Sequence, residues 1–174
     1  MSRQPIPDTK DWTKVLDSVC EECGQDVRAL NPTQIARLIR DSVGRFESAL
    51  QREDTAVRPA PQVWSPLEYC AHVSDMYSVM NHRLTLITTQ DSPTFANWDQ
   101  DEAAIENKYA AMTPNVVAEN LRDSADDFVR ALEALEDSQI PRRGYRSNGA
   151  IFTSATLAQY AWHDAVHHLY DLGI

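Results

Sequence analysis

Tyr160-Ala161-Trp162-His163-Asp164-Ala165-Val166-His167-His168-Leu169-Tyr170-Asp171 reads as one helix near the end of the chain. Leu157, Ala161, Ala165, Leu169 and Leu172 recur at helical steps, a narrow small-residue stripe suited to close packing against other helices. His163 and His167 stand four apart, which stacks their rings on a single helix face. Ligand atoms must approach a divalent ion to about 2 Å, and two converging neutral imidazoles supply half of such a site. The rest must come from another helix. The chain has five histidines, so the third ligand comes from a short list, and this reading selects His72. His163 and His167 fall nearly opposite the centre of the small-residue stripe, which aims them at a groove or mouth between helices. His168 lies on the packed side and is expected to be a hydrogen-bonded structural histidine.

Upstream, three more helical patterns appear. Asn31 and Pro32 form an N-cap and first-turn pair, and Ile35, Leu38, Ile39, Val43 and Phe46 follow at helical spacing over 31–52. Ser65-Pro66-Leu67-Glu68 is a capping box that opens a helix over 65–88. Its apolar stripe is Leu67, Cys70, Val73, Tyr77, Met80, Leu84 and Ile87. His72 falls off that stripe, in a row with Glu68, Asp75, Met76, Val79 and Arg83. His82 lies ten residues, or about 15 Å, further along and is expected at the surface. Thr113 and Pro114 start a helix over 113–136, with Val117, Leu121, Ala125, Phe128 and Leu132 inward and an acidic, solvated outer face. The final helix spans 154–172. The aromatic connection from Pro93 to Asp101 is expected to cover something, as a pocket wall or a lid on the core. Residues 137–152 are expected as a loop.

Residues 1–30 read as an irregular arm anchored by Trp12, Val15 and Leu16. Within it, Cys20-Glu21-Glu22-Cys23-Gly24 is either half a zinc knuckle or a redox pair, but neither a second Cys/His pair nor a βαβ context is evident nearby. A turn with two inert thiols is the plainer expectation.

The 174 residues and 19.7 kDa fit one domain, 1–174, with a sizeable core. A net charge of −10 argues against nucleic acid as a partner. No apolar run approaches the roughly 18–20 residues of a membrane span, and no signal-peptide core opens the chain. The expected location is cytoplasmic, in keeping with three cysteines and no disulfide framework. Few glycines and many Ala, Leu, Glu, Asp and Arg residues make a helical composition, and with four helical patterns behind an irregular N-terminal arm they indicate an all-α fold.

Trp64-Ser65-Pro66 through His72, the segment Pro93 to Asp101, and His163-Asp164-Ala165-Val166-His167-His168 together resemble the DinB-like proteins. That superfamily includes mycothiol-dependent maleylpyruvate isomerases and bacillithiol transferases. The likeness runs from about Trp12 to the C-terminus and is strongest at the last helix, with Gly149-Ala150-Ile151-Phe152-Thr153 before it. The arm resembles an actinobacterial branch. The resemblance implies an up-down four-helix bundle with an N-terminal arm, often a homodimer, with one divalent metal, usually zinc and sometimes nickel, on a histidine triad matching His72, His163 and His167. In some relatives a Glu replaces the first histidine of the last helix.

Three imidazoles would leave the ion its full charge and an open position. Such an ion acidifies whatever binds it, water toward hydroxide and a thiol toward thiolate. The leading expectation is therefore a metal-dependent S-transferase that attacks a small electrophile with a low-molecular-weight, mycothiol-like thiol. Metal-dependent hydrolysis of a small molecule is one alternative; a non-catalytic, stress-related metal-binding bundle is another. Arg83, Arg142, Arg143 and Arg146 are candidates to grip carboxylates of substrate or thiol. Asp75, Asp164 and Asp171 are candidates to orient a ligand imidazole through its second nitrogen.

Overall fold

The computed structural model describes residues 9–174. The arm opens with a 3-10 turn over Trp12–Leu16, capped by the Asp11 carboxylate on the Thr13 amide. Val15 is buried and Leu16 packs on the core, as expected of anchors. The order is then α1 (Pro32–Leu50), α2 (Pro66–Thr89), strand β1 (Thr94–Phe95), the short α3 (Gln100–Glu106), a 3-10 turn (Tyr109–Ala111) and α4 (Pro114–Glu133). A hairpin of β2 (Arg143–Arg146) and β3 (Ile151–Thr153) runs directly into α5 (Ser154–Asp171).

The helices begin where side chains can satisfy their orphaned amides. Asn31 accepts from Gln34 N and Ser65 from Glu68 N, each in a reciprocal capping box with Pro at the first position. Thr113 accepts from Val116 N ahead of Pro114. Thr153 ends β3 and caps α5, so the strand sets the point at which the last helix begins.

The long helices form the expected four-helix bundle. Their order around it is α1, α4, α2, α5: α1 and α2 each pack against both α4 and α5, and face one another across the diagonal. The connection 51–65 is long enough to cross an end of the bundle, so chain neighbours need not be spatial neighbours. Ala158, Ala161 and Ala165 are fully buried, and their small side chains let α5 come close to its partners.

Two features differ from the sequence reading. The connection 137–152 holds the β2–β3 hairpin, and β1 joins it in parallel, with Thr94 opposite Tyr145 and Phe95 opposite Arg146. Gly144 makes this small sheet possible, because a Cβ there would lie 2.6 Å from Phe95 Cε1 and 2.7 Å from Ile87 Cγ1. The second difference concerns α2. Its apolar stripe is buried as expected, but so are Glu68, His72, Met76 and Arg83 on the other face. Trp64, Trp98 and Tyr109 cover that face, so the polar row is interior and not solvated.

Candidate metal centre

Successive residues of α5 point about 100° apart. Two four-residue pairs, offset by one position, therefore aim at different neighbours. Asp164 and His168 turn toward α2, and His163 and His167 turn toward the N-terminal arm.

On the α2 side, His72 Nε2 lies 3.0 Å from Asp164 Oδ1. His168 Nε2 lies 3.5 Å from the same oxygen. The three residues form one group of potential metal ligands. With bond lengths of about 2.0–2.1 Å, tetrahedral ligands sit about 3.4 Å apart, so these spacings suit a divalent ion. His72 is 0 % exposed. Its ring stacks on Trp98 at a centroid distance of 5.4 Å and an interplanar angle of 14°, with Trp64 5.2 Å away on another side. Its Nδ1 has no hydrogen-bond partner among the described residues, so the ring's polar commitment runs through Nε2. His168 Nδ1 lies 2.9 Å from Asp171 Oδ2. That carboxylate can only accept, so it holds the proton on Nδ1 and frees the Nε2 lone pair toward the site.

On the arm side, Cys23 Sγ lies 3.6 Å from His163 Nε2, and Cys20 Sγ lies 3.8 Å from His167 Nδ1. These four residues form a second group of potential ligands, all within 4.8 Å of one another.

The expected triad of His72, His163 and His167 is therefore not the set the fold brings together. His72 meets Asp164 and His168, while His163 and His167 meet the cysteines of the arm. The physical reason is the rotation of α5: its small-residue stripe seats the helix so that the 164/168 pair faces α2, and the 163/167 pair is left to the arm. His168, expected to be structural, stands at the centre. Asp164, expected to orient a ligand imidazole, lies instead among the potential ligands.

Of the other candidates, Asp171 contacts His168 through its Oδ2. Asp75 instead accepts from Tyr109 Oη at 2.6 Å and Asn107 Nδ2 at 2.7 Å, anchoring the turn before α4. Arg142 donates to the Ile87 carbonyl at 2.8 Å and to Gln90 O, capping the end of α2. Arg143 is exposed. Arg83 and Arg146 are buried. Arg83 donates to Ala96 O at 2.9 Å, and Arg146 donates to Asn148 Oδ1 at 2.8 Å with its guanidinium 5.7 Å from the Tyr160 ring. His82 is exposed, as expected.

A cavity of about 250 Å³ opens over both groups, lined by Trp12, Trp64, Tyr69, Tyr160, Asp164 and His168 among others. Burial alone would raise the Asp164 carboxyl, but the His72 imidazole beside and bonded to it, with His168 and His163, outweighs that and holds it at about 2. Burial, with His167 alongside, pushes the His163 imidazole down to about 4. Burial likewise lowers His167 and raises the Cys23 thiol to about 11. Near neutral pH the site nearest α2 thus presents an anionic oxygen, and the arm-side imidazoles are uncharged.

A signal for Asp164 and His168 was in the sequence: a carboxylate followed four residues later by a histidine has the same helical spacing as His163 and His167, one residue on. Only the packing of α5 decides between the two registers. The join of Cys20 and Cys23 to the last helix left no such signal, because about 140 residues separate the two halves.

Similarity to known proteins agrees with this architecture. The family model described as the DinB superfamily matches residues 44–170. A protein of Oceanobacillus iheyensis named as a candidate metal-dependent hydrolase is 24% identical over 173 residues, covering 97% of this chain and 86% of that protein. YfiT from Bacillus subtilis, described as a probable metal-dependent hydrolase with an unusual four-helix bundle topology, superposes with a TM-score of 0.68 at 17% identity, over 90% of this chain and 89% of that one. A mycothiol-dependent maleylpyruvate isomerase superposes with a TM-score of 0.64 at 13% identity, over 84% of this chain and 62% of that one. At these identities the two superpositions establish the shared fold. Among the described residues, no helix is long and apolar enough to cross a membrane.

Proposed function

The chain belongs to the DinB superfamily, and we propose that it is an enzyme that hydrolyses a small anionic molecule with one catalytic ion, held by His72, Asp164 and His168. The observation that carries this reading is the convergence of three donors from two helices beside a cavity. Three protein ligands leave a position open, the arrangement of a catalytic rather than a closed structural site. Two imidazoles and a carboxylate are a donor set that zinc takes in hydrolytic enzymes, which favours zinc over nickel. Bound there, a divalent ion supplies Lewis acidity, able to polarise a carbonyl or phosphoryl oxygen and to acidify water.

The chain's own groups account for the rest of the reading. Trp98 and Trp64 fix the His72 ring, and Asp171 fixes the tautomer of His168. Burial keeps the Tyr160 phenol above its ordinary range despite Arg146 nearby, so its Oη retains a proton that it can donate into the cavity. Arg83 and Arg146 bond neutral oxygens of the protein, not carboxylates, among the described residues. Two buried guanidiniums behind Tyr160 bias the cavity toward an anionic substrate.

The Asp164 ligand weakens the case for thiol transfer that rests on three neutral imidazoles, since a carboxylate lowers the net charge of the site. One observation still favours a thiol co-substrate. Lys10, Glu22, Gln62, Gln100 and Asp101 are among the residues that line the cavity, a polar lining suited to a hydroxyl-rich thiol. At about 250 Å³, the cavity falls just below the about 300–1,000 Å³ typical of a drug-sized ligand's site.

The test is turnover by zinc-loaded protein of a panel of small esters, lactones and amides that bear a carboxylate, with and without a cysteine-based thiol. Hydrolysis without thiol that disappears in His72→Ala and Asp164→Asn but persists in His82→Ala is the expected result. Turnover only with thiol would replace hydrolysis by transfer, and turnover indifferent to chelation would overturn both.

A further inference from the structure

We propose that Cys20, Cys23, His163 and His167 form a second, closed metal site, a Cys2His2 centre for a zinc-like ion that staples the N-terminal arm to α5. It is independent of the catalytic reading above, since it shares no ligand with His72, Asp164 and His168.

Four observations carry it. The first is distance. With metal–sulfur bonds of about 2.3 Å and metal–nitrogen bonds of about 2.0–2.1 Å, a tetrahedral site places sulfur and nitrogen about 3.5 Å apart. The two sulfur–nitrogen pairs here stand at 3.6 and 3.8 Å.

The second is the shape of the cysteine turn. Gly24 N donates to Cys20 O and Cys20 N to Gln25 O, both at 2.9 Å, closing a tight knuckle. Gly24 sits at φ +73°, a left-handed conformation that a side chain would resist.

The third is closure. Cys20 is 5 % exposed, His163 3 % and His167 7 %, and the ring of Trp12 covers both histidines at centroid distances of 5.5 and 4.8 Å. Cys23 is half-buried and both histidines border the cavity, but four protein donors fill the positions of a tetrahedral ion, which makes a structural site and not a catalytic one.

The fourth is the outer carboxylates. With Nδ1 of His167 turned to Cys20, its Nε2 faces Glu22 Oε2 at 3.7 Å and Asp171 Oδ1 at 3.8 Å. Outer carboxylates of this kind orient and strengthen a histidine ligand. Asp171 thus stands between the two centres, bonded to His168 of one and beside His167 of the other.

Binding is a ligand exchange without redox change. Each thiol gives up one proton as its sulfur bonds the ion, so two protons leave per divalent ion bound, and the histidines bind as neutral rings. The consequence for the molecule is positional. The arm contributes Lys10, Trp12 and Glu22 to the cavity wall, so an ion bound here would shape the mouth of the other site without touching its chemistry.

The experiment uses the full chain, reduced and loaded with cobalt(II), together with zinc counting by elemental analysis. Two zinc equivalents are expected in the wild-type chain, and one in Cys20→Ser/Cys23→Ser and in His72→Ala. A thiolate-to-cobalt charge-transfer band in the near ultraviolet should be lost in the double cysteine variant and kept in His72→Ala. Should the double variant fail to fold, thiol reactivity of the wild-type chain gives the same answer. Cys20 and Cys23 should resist a thiol reagent while the ion is bound and react after chelation, with a parallel change in Trp12 fluorescence. A cobalt spectrum without the thiolate band, a band that survives Cys20→Ser/Cys23→Ser, thiols equally reactive with and without the ion, or a Cys20–Cys23 disulfide in the loaded protein would overturn the proposal.

Discussion

His72 Nε2 and Asp164 Oδ1 lie 3.0 Å apart across the α2–α5 interface, joining a buried ring to a carboxylate at the edge of the cavity. Every prediction about chemistry starts from that pair and from His168 beside it.

Asp171 is expected to matter without touching substrate. Its Oδ2 accepts from His168 Nδ1 at 2.9 Å, so Asp171→Asn should lower metal affinity or activity about 10- to 100-fold, the usual cost of losing an outer carboxylate. Metal titration of the variant checks this. Because Asp171 also faces His167, some loss at the second centre is expected as well.

Glu68 gives a pH dependence whose sign can be worked out. It is 3 % exposed. Burial raises its carboxyl, but the Arg58 guanidinium and the Ser65 amide and hydroxyl outweigh this and leave it below the ordinary 4.5. A lowered folded value means stability that is present above pH 4.5 and is lost as pH falls through the folded value. Urea midpoints of metal-free protein should therefore fall on acidification below about pH 4.5, and fall less in Glu68→Gln. At pH 7 the variant should be less stable by about 2 kcal/mol, the worth of charge-assisted hydrogen bonds lost at a buried cap.

Gly144→Ala should destabilise the chain by about 1–3 kcal/mol, the cost of overpacking. The added methyl would meet Phe95 and Ile87 side-chain carbons at under 3 Å, pushing β1 and β2 apart. Thermal unfolding measures the loss, and metal content should not change.

Arg142→Ala should cost about 1–2 kcal/mol, because the guanidinium donates to the Ile87 and Gln90 carbonyls at the end of α2. Metal binding should be untouched. A substrate-binding role would instead show as a raised KM in a protein of unchanged stability.

Caps and stripes were legible because they are local. Asn31, Ser65 and Thr113 each announce a helix within four residues of chain, and the apolar steps that follow fix its buried face. The order of helices around the bundle was not legible, since a connection such as 51–65 can reach either neighbour. His72 looked peripheral to α2 for a related reason: the residues that bury it, Trp64 and Trp98, come from outside the helix. On α5, one residue of register separates His163 and His167 from Asp164 and His168, and periodicity treats both pairs alike. The family resemblance matched the His163 and His167 register, so it did not point to Asp164 and His168 either. Cys20 and Cys23 wanted a Cys/His pair nearby in sequence, and the fold brings one from the far end of the chain.

The most direct test of the account is an anomalous difference map from crystals of zinc-loaded protein, recorded across the zinc edge. The account predicts a peak within bonding distance of His72 Nε2, Asp164 Oδ1 and His168 Nε2. A peak that joins His72 to His163 and His167, or no peak beside His72 in fully loaded protein, would contradict it.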